Sequence, residues 1–145
     1  MTIDAATDCP IARTMFEADT ASRALGIRVL ELSPGRAVAS MVVGDTMVNG
    51  HGITHGGFVF TLADTAFALA CNGYDAPAVG ARADIRFLTA TGLGDTLVAE
   101  AVERARFGRS GIYDVTIRRG GDLVAEFRGD SRTIGSVRPT PSGAA

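Results

Sequence analysis

The stretch VNGHGITHGGFVFTLADTAFALACNG, Val48–Gly73, decides the fold. Its first part carries Gly50, Gly52, Gly56 and Gly57 and both histidines of the chain, His51 and His55, and reads as a glycine-rich loop. From Phe58 onward the apolar residues have no period of two. The run is also too long, and too rich in alanine and leucine, for one strand, so it reads as a helix. A helix apolar on nearly every side belongs inside a protein. Asp64 sits within that run, and a buried carboxylate costs free energy unless it is paired or used.

Outward from this helix the pattern changes. Pro10 suits a first helical turn, and Ile11, Met15, Ala18 and positions 21–25 recur at helical spacing until Gly26. Strands are expected at Ile27–Leu30 and Ala37–Val43, joined by Ser33-Pro34-Gly35. After a turn at 73–77, four strand-like runs follow: Val79–Leu88, Leu97–Arg106, Ile112–Arg118 and Leu123–Thr133. Turn residues separate them, the last being Gly120-Gly121-Asp122. Strands joined by tight turns pair antiparallel. The apolar face of such a sheet needs a cover, and the central helix is the element apolar enough to provide it. At about 1.5 Å per residue, a helix over Gly56–Cys71 spans about 24 Å. The fold class is therefore α+β, an antiparallel sheet wrapped around one long helix. Residues 9–135 form a single domain, 1–8 a flexible N-terminus, and 136–145 a disordered tail rich in Pro, Ser and Gly.

A chain of 145 residues suits one domain, which buries roughly 70% of the surface exposed by its unfolded chain. A formal net charge of −2 gives no support for nucleic-acid binding. Every basic residue is arginine, which leaves an anionic ligand open. Two cysteines make no disulfide framework and suggest free thiols in a reducing compartment. The acidic N-terminus lacks the features of a secretory leader, and no apolar run reaches the ~20 residues that span a bilayer, so no membrane association and a cytoplasmic location are expected. His51 and His55 have HxxxH spacing, but the glycines around them oppose a helix and no third ligand stands at suitable spacing, so no metal is expected.

Several motifs together resemble the hotdog-fold acyl-CoA thioesterases, within them the phenylacetic acid degradation (PaaI-type) group. They are Asn49-Gly50-His51, His55-Gly56-Gly57 and Leu62-Ala63-Asp64-Thr65-Ala66-Phe67, then Ile85-Arg86-Phe87-Leu88, Gly94-Asp95, the segment 108–113 and Phe127-Arg128-Gly129. The likeness covers roughly residues 9–135. It implies a hotdog fold and hydrolysis of an acyl-CoA thioester, with coenzyme A as part of the substrate and no separate cofactor. The favoured acyl groups are aromatic, such as phenylacetyl and hydroxyphenylacetyl, or of medium length.

Glycines at a helix N-terminus bring unpaired N–H groups and a positive dipole end close to a substrate. By resemblance the Gly56 amide polarises the thioester carbonyl, with Gly57 beside it. Asp64 is the general base or the nucleophile, and an apolar setting makes such a carboxylate more basic. Asn49 orients water or thioester, and Thr65 hydrogen-bonds the water or the carboxylate. His55 fixes the loop at the substrate site, and Arg109 and Arg132 are candidates for the coenzyme A phosphates. Some relatives carry a hydroxyl residue near Gly80; this chain has none there. The resemblance further implies that loop and carboxylate come from different subunits of a homo-oligomer, a dimer of dimers. Two alternatives stay open: a hotdog enoyl-CoA hydratase or dehydratase using His55 with Asp64, and a non-catalytic acyl-CoA-binding module.

Overall fold

The computed structural model describes residues 8–135. The expected tail at 136–145 and all but Asp8 of the expected N-terminal segment lie outside them. The elements are α1 (Pro10–Glu17), α2 (Thr20–Ala24), β1 (Arg28–Ser33), β2 (Arg36–Val42), α3 (Gly56–Cys71), β3 (Ala78–Phe87), β4 (Thr96–Phe107), β5 (Ser110–Arg119) and β6 (Asp122–Thr133), with a single 3-10 turn at Asp45–Met47. The strands form one six-stranded sheet in the order β1-β2-β4-β5-β6-β3, antiparallel at every pairing. This is the expected α+β architecture, and α3 has the expected limits.

The sheet seats α3 through small residues. Ala37 pairs with Ala101 and Ala39 with Ala99 across β2 and β4, and all four are fully buried. Alanine at these inward positions lets the helix backbone come close, and α3 answers with its own buried Ala63, Ala66 and Ala70. Farther across the sheet the space widens and larger side chains fill it: Val115, Ile117, Phe127 and the helical Phe67. A Cβ on Gly129 would sit 2.9 Å from the Phe67 ring, so glycine in β6 makes room for it. Packing of this kind is dense, and each fully buried large apolar side chain contributes about 1.5–3 kcal/mol.

Two expectations need correction. The N-terminal helix is two helices, because the Asp19 side chain accepts the Ser22 N–H and starts α2 afresh. The interior of α3 is also less enclosed than its composition implies. Gly57 and Asp64 are exposed, and Phe60, Thr61 and Ala68 are half-covered. The sheet covers one side and the N-terminal helices another, which leaves a strip beside β3. That strand is an edge, paired only with β6, and it leaves Val79 at 42% exposure and Phe87 at 55%. No helix among the described residues is long and apolar enough to cross a membrane.

If the alanine patch seats the helix, Ala99→Leu overpacks it. The substitution should cost about 1–3 kcal/mol of stability, read as a lower urea midpoint with an unchanged slope. An unchanged midpoint would mean that the patch is not close-packed against α3.

Candidate functional site

The loop before α3 is built by its own polar groups. The Asn49 Oδ1 accepts the N–H of His51 at 2.9 Å and of Ile53 at 3.3 Å. The Asn49 N–H donates to the Ile53 carbonyl at 2.8 Å, closing a small loop in which Gly52 takes φ of +79°. Thr54 ties this loop to the segment after β3: its N–H donates to the Thr91 carbonyl and the two hydroxyls are 2.8 Å apart. The start of β4 is pinned in turn. Asp95 accepts the Gly92 N–H and the Arg119 guanidinium, and these hold its carboxyl below the usual carboxylate range.

His55 caps α3. Its Nδ1 accepts the Gly57 N–H at 2.9 Å, and its own N–H donates to the Met47 carbonyl. This is the structural role expected for it, and it selects between the two glycines. The Gly57 N–H is used internally, whereas the Gly56 N–H has no acceptor within the chain among the described residues. Another chain segment also comes close to Gly56: a Cβ there would lie 2.9 Å from the Phe87 ring. Asn49 and Gly56 line one groove of about 420 Å³, walled by apolar residues including Ile53, Val59, Phe87 and Leu88. A carbonyl entering it would find the Gly56 N–H and the Asn49 side-chain amide, whose N–H₂ is not used by the loop.

Asp64 is not in this groove. Eight residues along α3 place it about 12 Å further on, on the uncovered strip. Solvent reaches the carboxylate from that strip, while the protein hems in the rest. Desolvation raises its pKa, and the negative charge of Asp19 raises it further. Asp64 forms no ion pair among the described residues. The expectation of a fully buried acid is thus replaced by a half-desolvated one on an open face.

Thr65 turns the other way. It is buried, with its Oγ1 2.8 Å from the Ser22 Oγ. Arg109 is exposed, and its guanidinium donates to the Thr133 carbonyl at 3.0 Å. It lines a second cavity, of about 500 Å³, at the C-terminal end of α3 together with Tyr74, Arg106 and Ser110. There the Glu103 Oε1 accepts both tyrosine hydroxyls, Tyr74 at 2.8 Å and Tyr113 at 2.9 Å, and Arg106 stacks on Tyr74. Arg132 is exposed on β6 opposite Ser110. Within one chain, then, Asn49, Gly56, Gly57 and His55 come together, while Asp64, Thr65 and the two arginines lie elsewhere. Gly80 packs on Phe67, where an added Cβ would be 3.2 Å from the ring. No sequence motif above points to Phe87 against Gly56 or to the pair Asp19 and Ser22. Asp19-Thr20-Ala21-Ser22 does carry a capping signal, an Asp at the residue before a helical turn.

The family model described as thioesterase superfamily matches residues 51–126. The chain is 44% identical over 127 residues to acyl-coenzyme A thioesterase PaaI of Escherichia coli, covering 87% of this chain and 91% of that protein. The solved structure of the E. coli PaaI protein from the phenylacetic acid degradation operon superposes with a TM-score of 0.84 at 43% identity, over 87% of this chain and 92% of that one. A mutant structure of the phenylacetic acid degradation protein PaaI from Thermus thermophilus gives 0.78 at 39% identity, over 80% of this chain and all (100%) of the other.

The raised pKa of Asp64 has a consequence for stability. A carboxyl whose folded pKa lies above its unfolded one favours folding below the unfolded value, and that contribution is lost as pH rises through the folded pKa. Asp64→Asn should therefore raise the melting temperature at pH 7. The gain should shrink as pH falls through the raised folded value and vanish below the ordinary aspartate value of about 4, where the wild-type carboxyl is protonated in both states. A gain independent of pH, or a loss at pH 7, would contradict the desolvated setting of the carboxylate.

Proposed function

The chain belongs to the thioesterase superfamily, and from this premise we propose that it hydrolyses an acyl-CoA to the free acid and coenzyme A. The observation that carries the reading is the unspent Gly56 N–H at the N-terminus of α3, in one groove with the Asn49 side chain. A thioester oxygen docked there gains charge as water adds to the carbonyl carbon, and a preorganised donor at a helix N-terminus stabilises it. Asp64 takes the proton from the attacking water. The tetrahedral adduct collapses, the C–S bond breaks, and the thiolate leaves to be protonated as coenzyme A. A raised carboxylate pKa suits a general base. The Thr65 hydroxyl, bonded to Ser22, serves the site from behind the helix rather than by touching water.

A second copy of the chain supplies the other half. The Gly56 groove and Asp64 of one chain are separated along α3, and the strip carrying Asp64 runs beside the unpaired edge of β3. A long edge strand with exposed apolar residues calls for a partner strand. Two copies joined edge to edge, with their α3 helices side by side and antiparallel, set Asp64 of each against Gly56 of the other. The same arrangement brings the C-terminal cavity of one chain, with Arg109, toward the Asn49 loop of the other. This suits a bound coenzyme A whose phosphates meet Arg109 and Arg132. Further pairing of dimers into a dimer of dimers completes the proposed assembly.

The apolar groove walls and the Phe87 ring suit an arylacetyl or medium-length acyl group. The hydratase alternative needs a free imidazole lone pair at His55, and its Nδ1 is occupied by the Gly57 N–H. The test is thiol release from phenylacetyl-, hydroxyphenylacetyl- and medium-chain acyl-CoA by wild type and Asp64→Ala. Hydrolysis by the wild type with a loss on the order of 10²–10⁴-fold in kcat for the variant is expected. Equal rates would remove Asp64 from the chemistry, and no turnover on any substrate, with tight binding retained, would favour the binding-module reading.

A further inference from the structure

The junction of α1 and α2 holds a carboxylate that the reaction just described leaves unused. Asp19 accepts two hydrogen bonds from Ser22, from the amide N–H at 2.9 Å and from the hydroxyl at 2.6 Å. Ser22 is 1% exposed, and its Oγ lies 2.8 Å from the Oγ1 of buried Thr65. The single Ser22 hydroxyl proton is committed to the carboxylate, which has none to give. The proton of the second bond must therefore come from Thr65. A one-way chain results, Thr65 to Ser22 to Asp19, and it clamps an anion against the flank of α3 at the residue next to Asp64.

The surroundings make this anion matter. Burial is the first cause of the raised Asp64 pKa and the charge of Asp19, from the α1–α2 junction, the second; Asp64 in turn acts on the Cys71 thiol of its own helix. The thiol is pushed up to about 12 by burial and carries no charge at neutral pH. Arg23, the nearest cation on α2, donates to the Glu17 carbonyl. A carboxylate paired with arginine becomes a weaker base, whereas one beside a like charge becomes a stronger one. The fold provides the second situation.

We propose that Asp19 is a positioning residue for the hydrolysis: locked to α3 through Ser22 and Thr65, it holds a fixed negative charge beside the Asp64 carboxylate. This rests on Asp64 being the general base. It also explains why Thr65, adjacent to that base, faces the interior.

The experiment is the pH dependence of kcat/KM for wild type, Asp19→Asn, Asp19→Glu, Ser22→Ala and Asp64→Ala, with each fold checked by circular dichroism. Asparagine caps a helix as well as aspartate does, so Asp19→Asn keeps the turn and removes the charge. Its acid limb should move to lower pH and its plateau rate should fall severalfold. Asp19→Glu should return the limb toward wild type. Ser22→Ala, which cuts the link from the other side, should move the limb in the same sense as Asp19→Asn. A merely structural role would lower the amount of folded enzyme without moving the limb, so an unmoved limb in either folded variant overturns the proposal. Full activity in Asp64→Ala would instead overturn the reading of Asp64 as base. An inactive Asp64→Ala beside an unmoved Asp19→Asn limb rejects the role of Asp19 alone.

Discussion

The whole arrangement depends on how α3 is covered. Sixteen residues, apolar for most of their surface, lie on a patch of four alanines that draws the helix tight to β2 and β4. That contact excludes water from one side of the helix. The larger side chains of β5 and β6 fill the next sector, and α1 and α2 close a third. The sheet ends at β3, however, and the helix surface does not. The strip left over holds the one carboxylate of α3, beside a strand with an unpaired edge. The proposed sharing of the site between two copies answers this mismatch, because one second chain would both cover the strip and pair the edge.

The groups near the groove show a common division. In each, one part is spent on building the loop and another is left over. The Asn49 carbonyl oxygen organises the turn, and its N–H₂ is unused. His55 consumes the Gly57 N–H and leaves that of Gly56. The loop is thus held by hydrogen bonds that leave the Gly56 N–H and the Asn49 amide to the groove, which is what preorganised donors require. Thr65 does not join this set: its proton is committed to Ser22, on the far side of the helix.

The central helix was legible because composition and length alone separate helix from strand over residues 56–71, and the turn-forming glycines marked most strand limits to within a residue or two. The hotdog architecture followed. The burial of Asp64 was misread because a residue count around a helix treats all sides alike and cannot see where a sheet ends. The break at Asp19 was missed because the apolar spacing continues across it; the capping carboxylate, not hydrophobicity, divides the two helices. Arg109 and Arg132 stand at turns and strand ends as expected, but turn position carries no information about distance, and both lie at the opposite end of α3 from Gly56. Phe87 against Gly56 is a contact between elements far apart in the chain, which no local pattern encodes.

The shared site can be tested most directly by complementation. Asn49→Ala and Asp64→Ala chains, each inactive alone, are co-expressed in equal amounts and the mixed enzyme is assayed for thiol release. A site built from the Asn49 loop of one chain and the Asp64 of another gives each mixed dimer one intact site and one doubly defective site. Random pairing in a symmetric dimer then returns roughly one quarter of wild-type activity. Mixed dimers that form and remain inactive would contradict the division of the site between chains.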